Sequence, residues 1–94
     1  FATKDTEVVV VFGIRRNKVL LSARSRRDNL HLGLALSKHF SDGQAGGHKG
    51  LAGGQILFET LGFEEFADAE VKGNEILEAM AEHLHTIFAQ EDTS

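Results

Sequence analysis

An α/β domain, with a mixed sheet flanked by helices, is the fold this sequence predicts. Three observations predict it: a β-branched run near the start, a stretch of alternating character after it, and two segments whose apolar residues recur at helical spacing. Residues 7–12 are mostly valine, the composition of a strand buried on both faces and therefore central in its sheet. A short polar turn over 13–17 leads into 18–24, where Val19, Leu21 and Ala23 alternate with Leu20, Ser22 and Arg24, so the two strands are expected to form a hairpin. Asp28 or Asn29 stands where an N-cap is needed for a helix running to about residue 40. Leu32, Ala35, Leu36, His39 and Phe40 fall on one face of that helix, and Gly33 weakens it. Residues 41–54 hold six of the ten glycines and read as an irregular loop. A third strand is expected over 55–58. The acidic stretch 59–71 follows, and its apolar residues Leu61, Phe63, Phe66 and Val71 are expected to pack as a further strand or turn. Asn74 then reads as an N-cap, with Glu75 and Glu78 in the first turn. Ile76, Leu77, Met80, Leu84, Ile87 and Phe88 form one apolar stripe to about residue 89, and residues 90–94 are expected to fray.

Ninety-four residues suffice for one small domain, 1–94, burying roughly 60–70% of its chain surface. The 41% apolar content is that of a folded globule. No apolar run approaches the roughly 18 residues of a membrane span, and the first residues lack the basic start and apolar middle of a signal peptide, so a cytoplasmic location is expected. The absence of cysteine excludes disulfides and thiolate metal sites. The start at Phe1 rather than methionine is expected of a piece of a longer protein.

The net charge of −4 conceals a strong asymmetry. From Gly13 to Gly50, eight basic residues face Asp28 and Asp42, a local balance of +6, whereas from Leu51 onward ten carboxylates face Lys72 alone, a balance of −9. The first half is therefore expected to meet an anion and the second to be a solvated acidic surface.

The stretch Gln44-Ala45-Gly46-Gly47-His48-Lys49-Gly50-Leu51-Ala52-Gly53-Gly54 carries the most chemistry. Adjacent glycines let backbone amides converge on an anion without a Cβ in the way, and a histidine beside them adds a directional donor. It is neither a Walker loop, which needs Lys followed by Ser or Thr after the glycines, nor the dinucleotide fingerprint, whose glycines lie between a strand and a helix N-terminus. On glycine content alone, a flexible turn joining helix and strand is the better explanation.

Together with Ser22-Ala23-Arg24-Ser25 on the second strand and the helix between, the stretch from Gly46 to Gly53 resembles the DHH-associated domain of DHH-family phosphoesterases, a group of nanoRNases, RecJ-type exonucleases and cyclic-dinucleotide phosphodiesterases. That domain carries a Ser-x-Arg-Ser strand and a Gly-Gly-Gly-His-x-x-Ala-Ala-Gly loop, and the match runs over residues 8–58. Ala45 replaces the first glycine of the triple and Leu51 the first alanine. The resemblance implies a domain that binds nucleotide or short single-stranded nucleic acid by its phosphate, facing an upstream DHH catalytic domain that holds manganese. By the same resemblance Arg24 gives a bidentate contact to phosphate, the Gly46 and Gly47 amides and His48 donate hydrogen bonds, Ser22 and Ser25 add hydroxyls, and Lys49, Arg26 and Arg27 widen the positive field. No catalytic residue and no cofactor is implied for this chain, which by itself is expected to hydrolyse nothing.

The remaining histidines carry less. His83 and His85 are two apart on a helix and point in different directions, so they make no i, i+4 metal pair, and His31 and His39 read as surface or core-edge residues. With no Asp-His-His triplet the chain assembles no two-metal centre. Two other functions compete: an independent RNA-binding module like that at the end of alanyl-tRNA synthetases, disfavoured by the lack of Tyr and Trp and by the negative charge, and a dimerisation or regulatory domain using the C-terminal helix, with a homodimer as its product. The choice among short RNA, single-stranded DNA, cyclic dinucleotide, phosphoadenosine phosphate and polyphosphate is left open by these residues.

Overall fold

The computed structural model describes residues 8–41 and 43–92. Along the chain come β1 (Val8–Arg15), β2 (Lys18–Ser25), α1 (Leu32–His39), β3 (Ala45–Gly47), β4 (Leu51–Leu57), a 3-10 turn (Phe58–Leu61) and α2 (Ala69–Asp92). The strands form one sheet in the order β1-β2-β4-β3. The α/β class is as predicted, but all pairings are antiparallel, where a mixed sheet was expected. The connections explain two of the three pairings. β1 and β2 are joined by the two-residue turn Arg16-Asn17, and β3 and β4 by another short hairpin, neither long enough for a parallel crossover.

One face of the sheet carries the core. Val8, Val10, Val19, Leu21, Ala23, Ala52 and Ile56 are buried there against Leu32, Ala35 and Leu36 of α1 and Ile76, Met80, Leu84, Ile87 and Phe88 of α2, so both predicted apolar stripes are the packed ones, except that Leu77 is only partly buried and lies outside the core. β1 departs from expectation. Its valines alternate between buried and exposed, because nothing among the described residues covers its other face, and it is an edge strand, paired with β2 alone. The run of like residues concealed that alternation. Glu7, expected to begin this strand, lies outside the described residues.

Helix boundaries moved for capping reasons. His31, rather than Asp28 or Asn29, caps α1: its Nδ1 accepts the Leu34 amide at 3.1 Å. Asp68, rather than Asn74, starts α2, its Oδ1 accepting the Glu70 amide at 2.9 Å, which leaves Gly73 and Asn74 inside the helix. The backbone of α2 is helical to Asp92. Of the expected frayed end, Thr93 and Ser94 lie outside the described residues. In the acidic stretch Leu61 is buried and Phe63 partly so, whereas Phe66 and Val71 stand exposed rather than packed.

The glycine-rich segment is the largest revision. Instead of a continuous loop it is the hairpin β3-β4, and its strands lie against α1 at backbone distance. A Cβ built on Gly33 would stand 2.1 Å from the Gly47 carbonyl oxygen, and one on Gly54 would stand 2.2 Å from the Gln44 carbonyl oxygen. Gly47 also takes φ 143°, in the region that side chains avoid. Glycine here is required by close approach. Gln44 ties the start of β3 to the end of β4, its Oε1 accepting from the Leu57 amide (3.0 Å) and the Thr60 hydroxyl (2.8 Å).

Candidate functional site

Successive strand residues point to opposite faces, so burial of Val19, Leu21 and Ala23 sends Leu20, Ser22 and Arg24 to the other side of β2. No described residue covers that side: Val11 is 68% exposed, Leu51 49% and Val9 43%. Across the strands, Ser22 lies opposite Gly53, which lies opposite Gly46, while Arg24 lies opposite Leu51. Glycine at 53 and 46 leaves this part of the sheet bare. An open depression of about 540 Å³ lies there, lined by Lys18, Gln44, Gly46, Gly53 and Gln55 among others.

Arg24 ends the open row of β2 beside the His48–Gly50 turn, because the Ser25 amide donates to the Gly50 carbonyl at 3.0 Å and extends the β2-β4 ladder into it. The turn is held rigidly. The His48 amide donates to the Leu51 carbonyl (2.8 Å), and the carbonyls of His48 and Lys49 accept the amides of Gly33 and Leu32, each at 2.9 Å. The first amides of α1 are therefore spent on the turn. With its backbone pinned, the turn leaves the His48 and Lys49 side chains exposed. Arg24 is exposed and makes no ion pair with a described residue.

The predicted residues are thus only partly gathered. Ser22, Arg24, Gly46 and the 48–50 turn lie at one end of the sheet. Ser25 shares the parity of the core residues, and its Oγ accepts the Arg27 amide at 3.0 Å, a local turn contact. The ladder also accounts for one of the two loop amides. With the His48 amide bonded to Leu51 and the Gln55 amide to Gln44 (2.9 Å), alternation makes Gly46 and Gly53 the hydrogen-bonded pair, so the Gly46 amide is directed at Gly53.

A family model for the DHHA1 domain matches residues 2–90. The chain is a DHHA1 domain. DHHA1 domains are the DHH-associated domains of DHH-family phosphoesterases, and the match extends the resemblance seen over 8–58 to nearly the whole chain. No curated protein and no solved structure matches it. No helix among the described residues is long and apolar enough to cross a membrane.

Sequence reading missed two features of this DHHA1 domain. Lys18 and Gln55 border the glycine floor, with the Lys18 ammonium 3.4 Å from Gln55 Oε1, a pairing visible only once β2 and β4 are in register. His39 of α1 and His83 of α2 also meet, Nε2 to Nδ1 at 2.7 Å, with the Phe40 ring beside both. Burial, and then the neighbouring His83, hold the His39 pKa below its ordinary value. Among the described residues no three His, Asp or Glu side chains gather.

Proposed function

We propose that this DHHA1 domain holds the phosphate of a nucleotide or short single-stranded nucleic acid on its open sheet face, as the substrate-binding part of a manganese-dependent DHH-family phosphoesterase. One observation carries the reading. Arg24 presents a guanidinium free of described carboxylates on a bare sheet face, beside Ser22 and opposite a strand whose next outward residue is glycine. His48 and Lys49, on the pinned turn at the same end, supply a donor and a charge. Gly46 and Gly53 contribute by leaving room for the ligand rather than by side chains, and Gly47 adds backbone at the hairpin end. The reacting group would belong to a DHH catalytic domain facing this one, so the work of this domain is to position substrate.

Titration of the 94-residue chain with a thymidine dinucleotide, followed by NMR, tests this. Affinity in the range of roughly 0.1–10 mM is expected, because this domain by itself supplies one wall of the proposed cleft. Amide shifts should centre on Ser22, Arg24, Gly53 and the 48–50 turn. Arg24→Ala should weaken binding about tenfold or more and His48→Ala several-fold, as a charge-assisted contact outweighs a neutral one. Shifts confined to α2, or an Arg24→Ala variant that binds equally well, would overturn the proposal.

A further inference from the structure

Six residues along the open row of β2 from Arg24, at the opposite end of the same face, the β1-β2 hairpin gathers a second set of cations. Arg15 and Lys18 are register partners, Arg16 forms the turn between them, and with Asn17, Leu20 and Gln55 they line a depression of about 250 Å³. Among described residues none of the three makes an ion pair with a carboxylate; Lys18 reaches only Gln55. The turn itself is built against local preference. Arg16 takes φ 58°, in a two-residue hairpin turn where Asn or Gly is the usual occupant, and a long cationic side chain is kept there at the cost of that backbone strain.

We infer that the hairpin tip is a second phosphate site, so that the open face takes an extended single strand of nucleic acid and not an isolated nucleotide. The inference rests on the reading that Arg24 holds the first phosphate. Six residues of strand separate the two sites by about 20 Å. A strand stacked at roughly 3.4 Å per nucleotide needs about six nucleotides to cover that span, and an unstacked one about half as many. What lies between selects nucleic acid over polyphosphate. The intervening row is Ser22 and Leu20, opposite Gly53 and Gln55, without a cation. Polyphosphate, charged at every unit, would leave most of its charges unneutralised over this row. A nucleotide chain places few phosphates there and lays sugars and bases on the hydroxyl, the leucine and the bare glycine.

The test compares oligothymidylates of two and of about eight nucleotides by fluorescence anisotropy on the 94-residue chain. It uses wild type, Arg24→Gln and the double variant Arg15→Gln/Arg16→Asn. Asparagine tolerates the left-handed turn, so the double variant should melt no lower than wild type, which a thermal scan checks. The longer strand should bind about tenfold more tightly than the dinucleotide. The double variant should lose that gain while binding the dinucleotide as wild type does, and its salt slope for the longer strand should fall by about 1.4, from about 0.7 for each phosphate contact removed. A double variant that keeps full affinity for the longer strand overturns the second site and leaves the Arg24 reading standing. Indifference of both ligands to Arg24→Gln, with the tip variant still impaired, overturns the Arg24 reading instead. Equal competition by inorganic polyphosphate at matched phosphate concentration overturns the choice of nucleic acid.

Discussion

Gly33→Ala is a substitution for which helix propensity and tertiary packing predict opposite signs. In an exposed helix interior, alanine is favoured over glycine by about 1 kcal/mol. Here the added methyl carbon would stand 2.1 Å from the Gly47 carbonyl oxygen, and that neighbour is backbone, not a side chain able to swing away. To reach ordinary contact, α1 must withdraw from β3 by about an ångström or more. The Gly33 amide would then leave the His48 carbonyl and the Leu32 amide the Lys49 carbonyl, both now at 2.9 Å. Overpacking costs about 1–3 kcal/mol, and weakening two backbone hydrogen bonds costs up to about 1 kcal/mol each. After the propensity gain, a net loss centred on about 2 kcal/mol remains. For a domain of this size that lowers Tm by roughly 8–16 °C. Urea and thermal denaturation monitored by circular dichroism would measure it, with Leu34→Ala, an exposed position of the same helix, as the control. A Gly33→Ala protein as stable as wild type, or more so, would refute the argument that glycine serves the approach of α1 to the hairpin. The same variant should also weaken dinucleotide binding, because the turn presenting His48 and Lys49 loses its anchor.

Because the His39 pKa is lowered in the folded state, the unfolded chain takes up its proton first as pH falls. The stability His39 contributes in its neutral form is thus present above the ordinary histidine value of about 6.5 and is lost as pH drops from there toward its folded pKa. Tm should fall as the pH drops below about 6.5, and His39→Gln should flatten that dependence; an unchanged slope would remove His39 as its source. Asp68→Ala should cost about 1 kcal/mol by removing the α2 cap, whereas Asn74→Ala, inside the helix, should be neutral or mildly stabilising. The reverse order in denaturant midpoints would contradict the observed helix start. The purified chain should cleave neither oligonucleotides nor cyclic dinucleotides with manganese added, and metal-dependent turnover that copurifies with it would refute this.

Elements whose signal is local are legible in the residues alone. The period-two alternation around Val19 to Arg24 and the helical spacing of Leu32 to Phe40 and of Ile76 to Phe88 each encode one buried face. Those faces are the ones that pack. The family resemblance, too, was legible in a few adjacent residues, and the match over 2–90 bears it out. Tertiary structure decided what depends on partners distant in sequence. Asp28, Asn29 and Asn74 were reasonable caps by residue type, yet the helix start goes to the residue whose side chain reaches a free amide in three dimensions, and those residues were His31 and Asp68. The glycines looked like a mobile cradle because glycine reads the same in a loop and in a tightly apposed strand. Only register sets Gly46 against Gly53, and only the packing of α1 on β3 sets Gly33 against Gly47, turning conformational freedom into a packing requirement. Parity along β2, likewise, became informative only when the helices had covered one side, leaving Ser22 and Arg24 on the bare face and turning Ser25 away from it. Which side of a strand meets a ligand is a property of what packs on the other side, and no local pattern contains it.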